Sequence, residues 1–406
     1  MGPTPLMRNL EHLTGPEAAG RLSGTGGARL AADYLARELS ALGLAPAGDE
    51  GYFQRVEVPA ARVTGQVKLS IGGVAYRHRA DFAEMTHLSS GGSVQSDLIV
   101  VRDGDPVGEE ELRGKVVLIP NRPADFDITA TVAAASDLQV AALLIEWGEP
   151  KWFHKTLFGS AQNRIPVLRI NQNLANSLAT ASGAPVDIDL PLAMGSLACQ
   201  NVIGLWPGAD TTRTVALTAH YDHVGDDPGG ERFPGAADNA SGVVTILEAV
   251  RGLVSRNERL PFNLLVGFLT GEESGLWGAK HLAAHTPVPL TSVINLDGIG
   301  MEPSLRSMRL GYTEPGHWLA DLAADLLEHQ GIDVQWQGGH DDSVAFQAAG
   351  LPALGLGQML TEPLGGGFHS PDDTSDLLHV PVLEQGAETL VSLIHQLANR
   401  QVPTAV

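Results

Sequence analysis

Apolar residues recur along the chain with two different periods, and the changes between them divide it into regions. In ARLAADYLARELSALGL, Ala31, Leu35, Leu39 and Leu42 fall three or four apart with Tyr34 beside them, the stripe of an amphipathic helix, and Gly43 stands where it would end. From about Val63 the period shortens. QVKLSIGGVAYRH alternates like a hairpin, KVVLIP, VAALLIEW and IPVLRIN are short β-rich runs, and ATVAAASDL supplies a helical stretch between the first two of these. The pattern predicts a compact β-rich unit with its own strand–helix–strand element, ending near Leu192.

From Asn201 the pattern changes again. TVALTAHYDHVG reads as a strand entering a loop, SGVVTILEAVRGLV as a helix with Val243, Ile246, Leu247, Val250 and Leu253 on one side, and PFNLLVGFLT as a second strand. EESGLWGAKHLAAH reads as a helix, TSVINLD as a third strand, and LEQGAETLVSLIHQL as a late amphipathic helix. Strands alternating with helices predict an α/β fold: a doubly wound, mostly parallel sheet with helices on both faces, carrying an inserted β-rich domain. The implied division is 1–62 and 193–406 for the main domain and 63–192 for the insertion. The Gly- and Pro-containing stretches GDDPGGERFPGA and TEPLGGGFHSPDD are expected to be site loops.

Length and charge narrow the picture. At 406 residues the chain exceeds what one hydrophobic core normally serves, in keeping with two domains. A net charge of −21 argues against nucleic acid and anionic membranes as partners, since binding phosphates needs clustered Lys and Arg. No apolar run reaches the ~20 residues of a membrane span. MGPTPLMRNLEHL has no secretory pattern, so the expected compartment is the cytoplasm, or the periplasm or exterior if a leader has been removed. The lone cysteine, Cys199, excludes an intrachain disulfide and a thiolate cluster. Any metal must then be held by His, Asp and Glu.

Such residues collect where the predicted strands stop. His220, Asp222 and His223 follow TVALTA, Asp238 precedes a helix, Glu272 and Glu273 follow FLTG, Asp297 closes VINLD, and His369 lies in GGGFHSPDDT. In open α/β sheets, sites form beyond the carboxyl ends of the strands. Two adjacent carboxylates at the end of a core strand repel each other, and a cation removes that conflict. Nitrogen and oxygen donors without thiolate suit Zn, Mn or Co, with Zn favoured for hydrolysis. His281 and His285 are helix-face residues without an assigned role.

AHYDH, GAADNASG, TGEESGLWGA, NLDGIG and FHSPDDT together resemble the metal-site motifs of the aminopeptidase Y and glutamate carboxypeptidase family of two-zinc exopeptidases. GRLSGTGGARLAADYLARELSALGLAP resembles that family's opening helix, and residues 63–192 resemble its inserted protease-associated domain. The resemblance implies a zinc exopeptidase fold, two Zn2+ ions (Mn2+ or Co2+ as substitutes) and a peptide substrate. It makes Asp238 the carboxylate shared by both metals, His220 and Asp297 ligands of one, and Glu273 and His369 ligands of the other. Glu272 is then the general base, and Asp222 orients His220. NAS at Asn239 matches a glycosylation acceptor and falls inside the motif, so it is read as chance.

Two positions depart from that pattern. Ser343 stands where members often have a histidine, with His340 three residues earlier, and Phe368 stands where some have a tyrosine. Tyr221 and Tyr312 are the candidate replacement hydroxyls. The leading function is an aminopeptidase. The runner-up is a carboxypeptidase gripping a terminal carboxylate through Arg306 and Arg309. A metal-free receptor, and cyclisation of N-terminal glutamine by a single-zinc relative, rank below these because a full two-metal ligand set is present. The specificity pocket is expected from loops around 225–236, 298–312, 339–347 and 360–368.

Overall fold

A computed structural model describes residues 4–102, 107–123, 125–157, 165–256, 259–358 and 367–400. The loop residues 360–366 named above therefore lie outside the described residues. Two sheets organise the rest. In the larger, Asn263–Leu269, Thr214–His220, Ser292–Leu296 and Ala353–Gln358 are neighbours in that order and run parallel. Every residue of these four strands is buried, which is why the sequence writes them as continuous apolar runs.

Alternate residues of these strands feed two cores. Val215, Leu217 and Ala219 pack with the helices Gly26–Ala41, Ser241–Ser255, Trp318–His329 and Val380–Asn399. Ala216, Leu265 and Val293 pack on the other face, with Trp277–Ala284 and Ser343–Ala348. Helices thus cover both faces, as the strand–helix alternation predicts. The edges differ from the parallel centre: Leu192–Trp206 joins antiparallel to Asn263–Leu269, and Ser307–Gly311 antiparallel to Ala353–Gln358. The sheet is therefore mixed.

Phe53–Val63 and Leu192–Trp206 pair over their length, from Phe53 opposite Val202 to Val63 opposite Leu192. This ribbon leads into the smaller sheet and back. The smaller sheet runs Val74–Ala75, Lys68–Ile71, Pro185–Leu190, Gly92–Val100, Val116–Ile119, Ala142–Glu146, Val167–Ile170 and Phe82–Glu84. It has separate apolar cores on its two faces, one of them receiving Val132 and Ala135 from the helix Ile128–Asp137. No described helix is long and apolar enough to cross a membrane.

One expected helix starts late. The stretch after Leu269 becomes helical only at Trp277, because Gly271, Gly275 and Leu276 adopt positive φ (71°, 121° and 61°). Glu272 and Glu273 consequently sit in a turn beyond the carboxyl end of Asn263–Leu269 rather than on a helix.

Candidate metal centre

His220 is the last residue of its strand, and Asp297 follows Leu296 at the end of the neighbouring one. The turn after Leu269 brings in Glu272 and Glu273. Asp238 lies in Ala236–Ala240, next to a cis peptide bond to Asn239 and just before the helix Ser241–Ser255. Asn239 is fully buried. Its Nδ2 donates to the Leu296 carbonyl (2.9 Å), and its Oδ1 accepts from Gly242 N (3.0 Å) and Gly298 N (3.2 Å). It ties the Asp238 and Asp297 loops together and leaves no room for a glycan.

The side chains converge on Asp238. His220 Nε2 is 3.2 Å from Asp238 Oδ1 and 3.4 Å from Asp297 Oδ1. His369 Nε2 is 3.0 Å from Asp238 Oδ2 and 2.8 Å from Glu273 Oε2. One oxygen of Asp238 thus faces each histidine. Ligand atoms of His220, Glu272 and Asp297, and again of His220, Asp238 and Glu273, all lie within 4.8 Å of one another in each group. Several carboxylates meet here with few counter-charges, and the buried His220 Nε2 makes no hydrogen bond of acceptable geometry. An oxygen-rich donor set with two imidazoles fits a pair of Zn2+ ions.

The two adjacent glutamates are driven apart in acidity. Burial pushes the Glu272 carboxyl well above its ordinary value, and the neighbouring Glu273 and Asp297 charges add to this. Burial would also raise Glu273, but His369 and His223 outweigh it and hold Glu273 down at about 2. Asp238 is held well below the carboxylate range against the same burial, through the close approach of the His220 and His369 rings. Such a split between neighbouring carboxyls separates a group that stays anionic from one able to carry a proton.

Asp222 behaves differently from the expectation. His220 Nδ1 faces the Asp222 carbonyl oxygen at 3.2 Å, while the carboxylate is 3.8 Å away. The carboxylate instead accepts from Ser23 Oγ (3.0 Å) and from the Glu272 amide (3.3 Å). Its main chain orients His220, and its side chain fixes the turn that carries Glu272.

Three supporting residues went unread in the sequence. His223 follows TVALTA in the sequence with no role assigned to it. It is fully buried, with Nδ1 2.8 Å from Glu273 Oε1, the oxygen that His369 does not contact. Asp373 accepts from the Ala237 and Asp238 amides (2.7 and 3.1 Å) and sets the loop that carries Asp238. Arg21, 0 % exposed, donates to four carbonyls: Leu13, Tyr221, Pro234 and Gly235, at 2.5 to 2.7 Å. It therefore braces both the His220 and the Asp238 loops from below. Arg21→Met should cost roughly 3 kcal/mol or more, since four buried acceptors lose a charged donor. Urea unfolding of the variant checks this.

The expected substitutes for the missing tyrosine are not available. Tyr221 is buried with its hydroxyl donated to the Gln200 carbonyl (2.8 Å), and Tyr312 stacks on His317 away from the cavity. Chain alternation explains the first: the residue after His220 points to the opposite side of the sheet. Ser343 is also buried, with its amide on Asp341 Oδ1. Phe368 and His340 do line the cavity, which encloses about 1000 Å³ beside Asp238, Glu272 and Asp297. Arg309 lines it too, but its guanidinium is bonded to Asp341 and to the Asp297 carbonyl (3.2 Å). Arg306 is exposed and pairs with Glu302 at 3.0 Å. The arginines thus have acidic or main-chain partners, which weakens the carboxypeptidase expectation.

Residues 201–394 match peptidase family M28. Aminopeptidase YwaD of Bacillus subtilis is 26 % identical over 251 residues, covering 58 % of this chain and 52 % of that protein. A probable leucine aminopeptidase of Trichophyton verrucosum is 27 % identical over 218 residues, covering 48 % and 57 %. The chain thus spans about half the length of these curated relatives. Among solved structures, a zinc aminopeptidase from Bacillus subtilis superposes with a TM-score of 0.75 at 19 % identity, over 98 % of this chain and 96 % of that one. An aminopeptidase from Aneurinibacillus sp. strain AM-1 gives 0.70 at 21 %, over 96 % and 92 %. These two likenesses concern the fold, and their coverage takes in the smaller sheet.

Proposed function

From the match of residues 201–394 to peptidase family M28, we propose that this protein is a two-zinc aminopeptidase, removing N-terminal residues from peptides. The observation that carries the reading is the pair of donor sets that share Asp238, one oxygen toward His220 and the other toward His369. His220 and Asp297 would hold one ion, and Glu273 and His369 the other. Bound there, two cations would lower the pKa of a water between them and polarise the scissile carbonyl.

The protein's own residues supply the remainder. Glu272 lines the cavity beside ligand Glu273, where it takes the attacking water's proton and delivers it to the leaving amine. Asp222 and Ser23 keep its turn in place. The substrate's α-ammonium finds negative partners in Glu272 and Asp297 at the cavity wall. The Phe368 ring offers apolar contact where a tyrosine would offer a hydroxyl. The smaller unit is read as a protease-associated domain that borders the cleft, supported by His154 at its rim.

The test is amino-acid release by the zinc-loaded protein from a short peptide library, offered free, N-acetylated and C-terminally amidated. Acetylation should abolish release and amidation should not. The reverse pattern would make the enzyme a carboxypeptidase.

A further inference from the structure

After the strand Ala142–Glu146 the chain leaves the smaller sheet and crosses to the larger unit. Its crossing segment is pinned at both ends: Phe153 N donates to the Arg79 carbonyl (2.8 Å), and the Leu157 carbonyl accepts from Ala61 N (3.0 Å). Leu157 is buried with Leu22, Val224 and Phe233 of the larger unit. Between these anchors, Lys155 N donates to the His369 carbonyl at 3.1 Å, and His369 Nδ1 faces the Lys155 carbonyl at 3.0 Å. Two residues 214 positions apart thus share a reciprocal pair of bonds.

A carbonyl can only accept, so Nδ1 must carry the ring proton. Nε2, which faces Asp238 and Glu273, is then the nitrogen that would present its lone pair to a cation held among them. His369 also stands at φ 59°, a left-handed conformation that residues other than glycine rarely hold unless the surroundings impose it. Two residues earlier, Gly367 (φ 80°) touches the crossing segment. A Cβ there would lie 2.6 Å from the His154 ring.

The Lys155 side chain is locked in turn. It is 2 % exposed, and its Nζ lies 2.9 Å from both Asp227 Oδ1 and the Gly225 carbonyl. Arg79, fully buried, bonds Asp227 through Nε (2.7 Å) and Nη2 (3.0 Å), and Glu84 through Nη2 (2.7 Å). Two cations and two carboxylates thus balance inside the junction of the two units. Removing one partner would leave a buried charge uncompensated.

We propose that Lys155 of the smaller unit is a positioning residue for the second cation site: its peptide sets the tautomer and orientation of His369, and its ammonium, held by Asp227, keeps that peptide in place. This rests on the two-zinc reading above. The smaller unit is then a structural part of one metal site as well as a wall of the cleft.

Lys155→Met tests this, because it keeps an unbranched side chain of similar length and removes the charge. Zinc affinities would be measured by competition with a chromophoric chelator on the full chain. Wild type should hold two ions. The variant should keep one at wild-type affinity and bind the other about 10- to 100-fold more weakly. Adding His369→Ala should bring little further loss at that site than His369→Ala alone, as expected for residues acting through one another. Unchanged binding of both ions, or equal weakening of both, would overturn the proposal. Fewer than two ions on wild type would overturn the two-zinc reading itself. Should the variant not fold, ¹⁵N NMR of the His369 ring in zinc-loaded wild type decides. A proton on Nδ1 supports the proposal, and a proton on Nε2 overturns it.

Discussion

Glu272→Gln should lower kcat by about 10²- to 10⁴-fold while both zinc ions stay bound. Glutamine has the shape of glutamate but cannot take a proton from water at neutral pH. The turn that carries residue 272 is held through its main chain, by the Asp222 carboxylate and the Gly271 amide on Ser23, so the substitution leaves the scaffold intact. Steady-state kinetics and metal analysis on the same sample check it. The zinc count is the decisive part. Glu272 lies within ligand distance of His220 and Asp297, so loss of an ion would recast it as a ligand rather than a base.

Asp238→Ala should be more severe, with the zinc content falling from two to one or none and activity down by at least roughly 10³-fold. The two oxygens of Asp238 face His220 and His369, the histidines of the two donor sets, so its removal harms both sets. Its loop should nonetheless hold shape. The amides of Ala237 and Asp238 remain on Asp373, Asn239 still ties Leu296 to Gly298, and Arg21 still braces Gly235. Far-UV circular dichroism should therefore match wild type while zinc analysis does not. A variant that retained both ions would refute the shared role.

Much of this centre could be read before any coordinates, for a physical reason. Strands buried on both faces must be apolar throughout, so polar residues at their ends stand out, and His220, Glu272, Glu273 and Asp297 are such residues. The residues that aim them carry no such mark. Arg21 acts on carbonyls about 200 positions away, and a carbonyl leaves no trace in the residue type that bears it. Asp373 works through amides in the same way. Lys155 reaches His369 through a main-chain pair between segments that only the fold brings together. Side-chain direction was also hidden: Tyr221 adjoins His220 yet points away from the cavity, and only the strand's pleat decides that. The junction between the units belongs with these. Arg79, Glu84, Asp227 and Lys155 look like ordinary surface charges in the sequence, and their burial follows from how the two sheets meet.

On the two-zinc reading, Asp238 is shared between both ions. Anomalous diffraction at the zinc edge from crystals of the zinc-loaded protein tests it most directly. Two peaks are predicted roughly 3.5–4 Å apart, one between His220 and Asp297 and one between Glu273 and His369, each within bonding distance of a different Asp238 oxygen. A single peak, or two peaks of which only one touches Asp238, would contradict it.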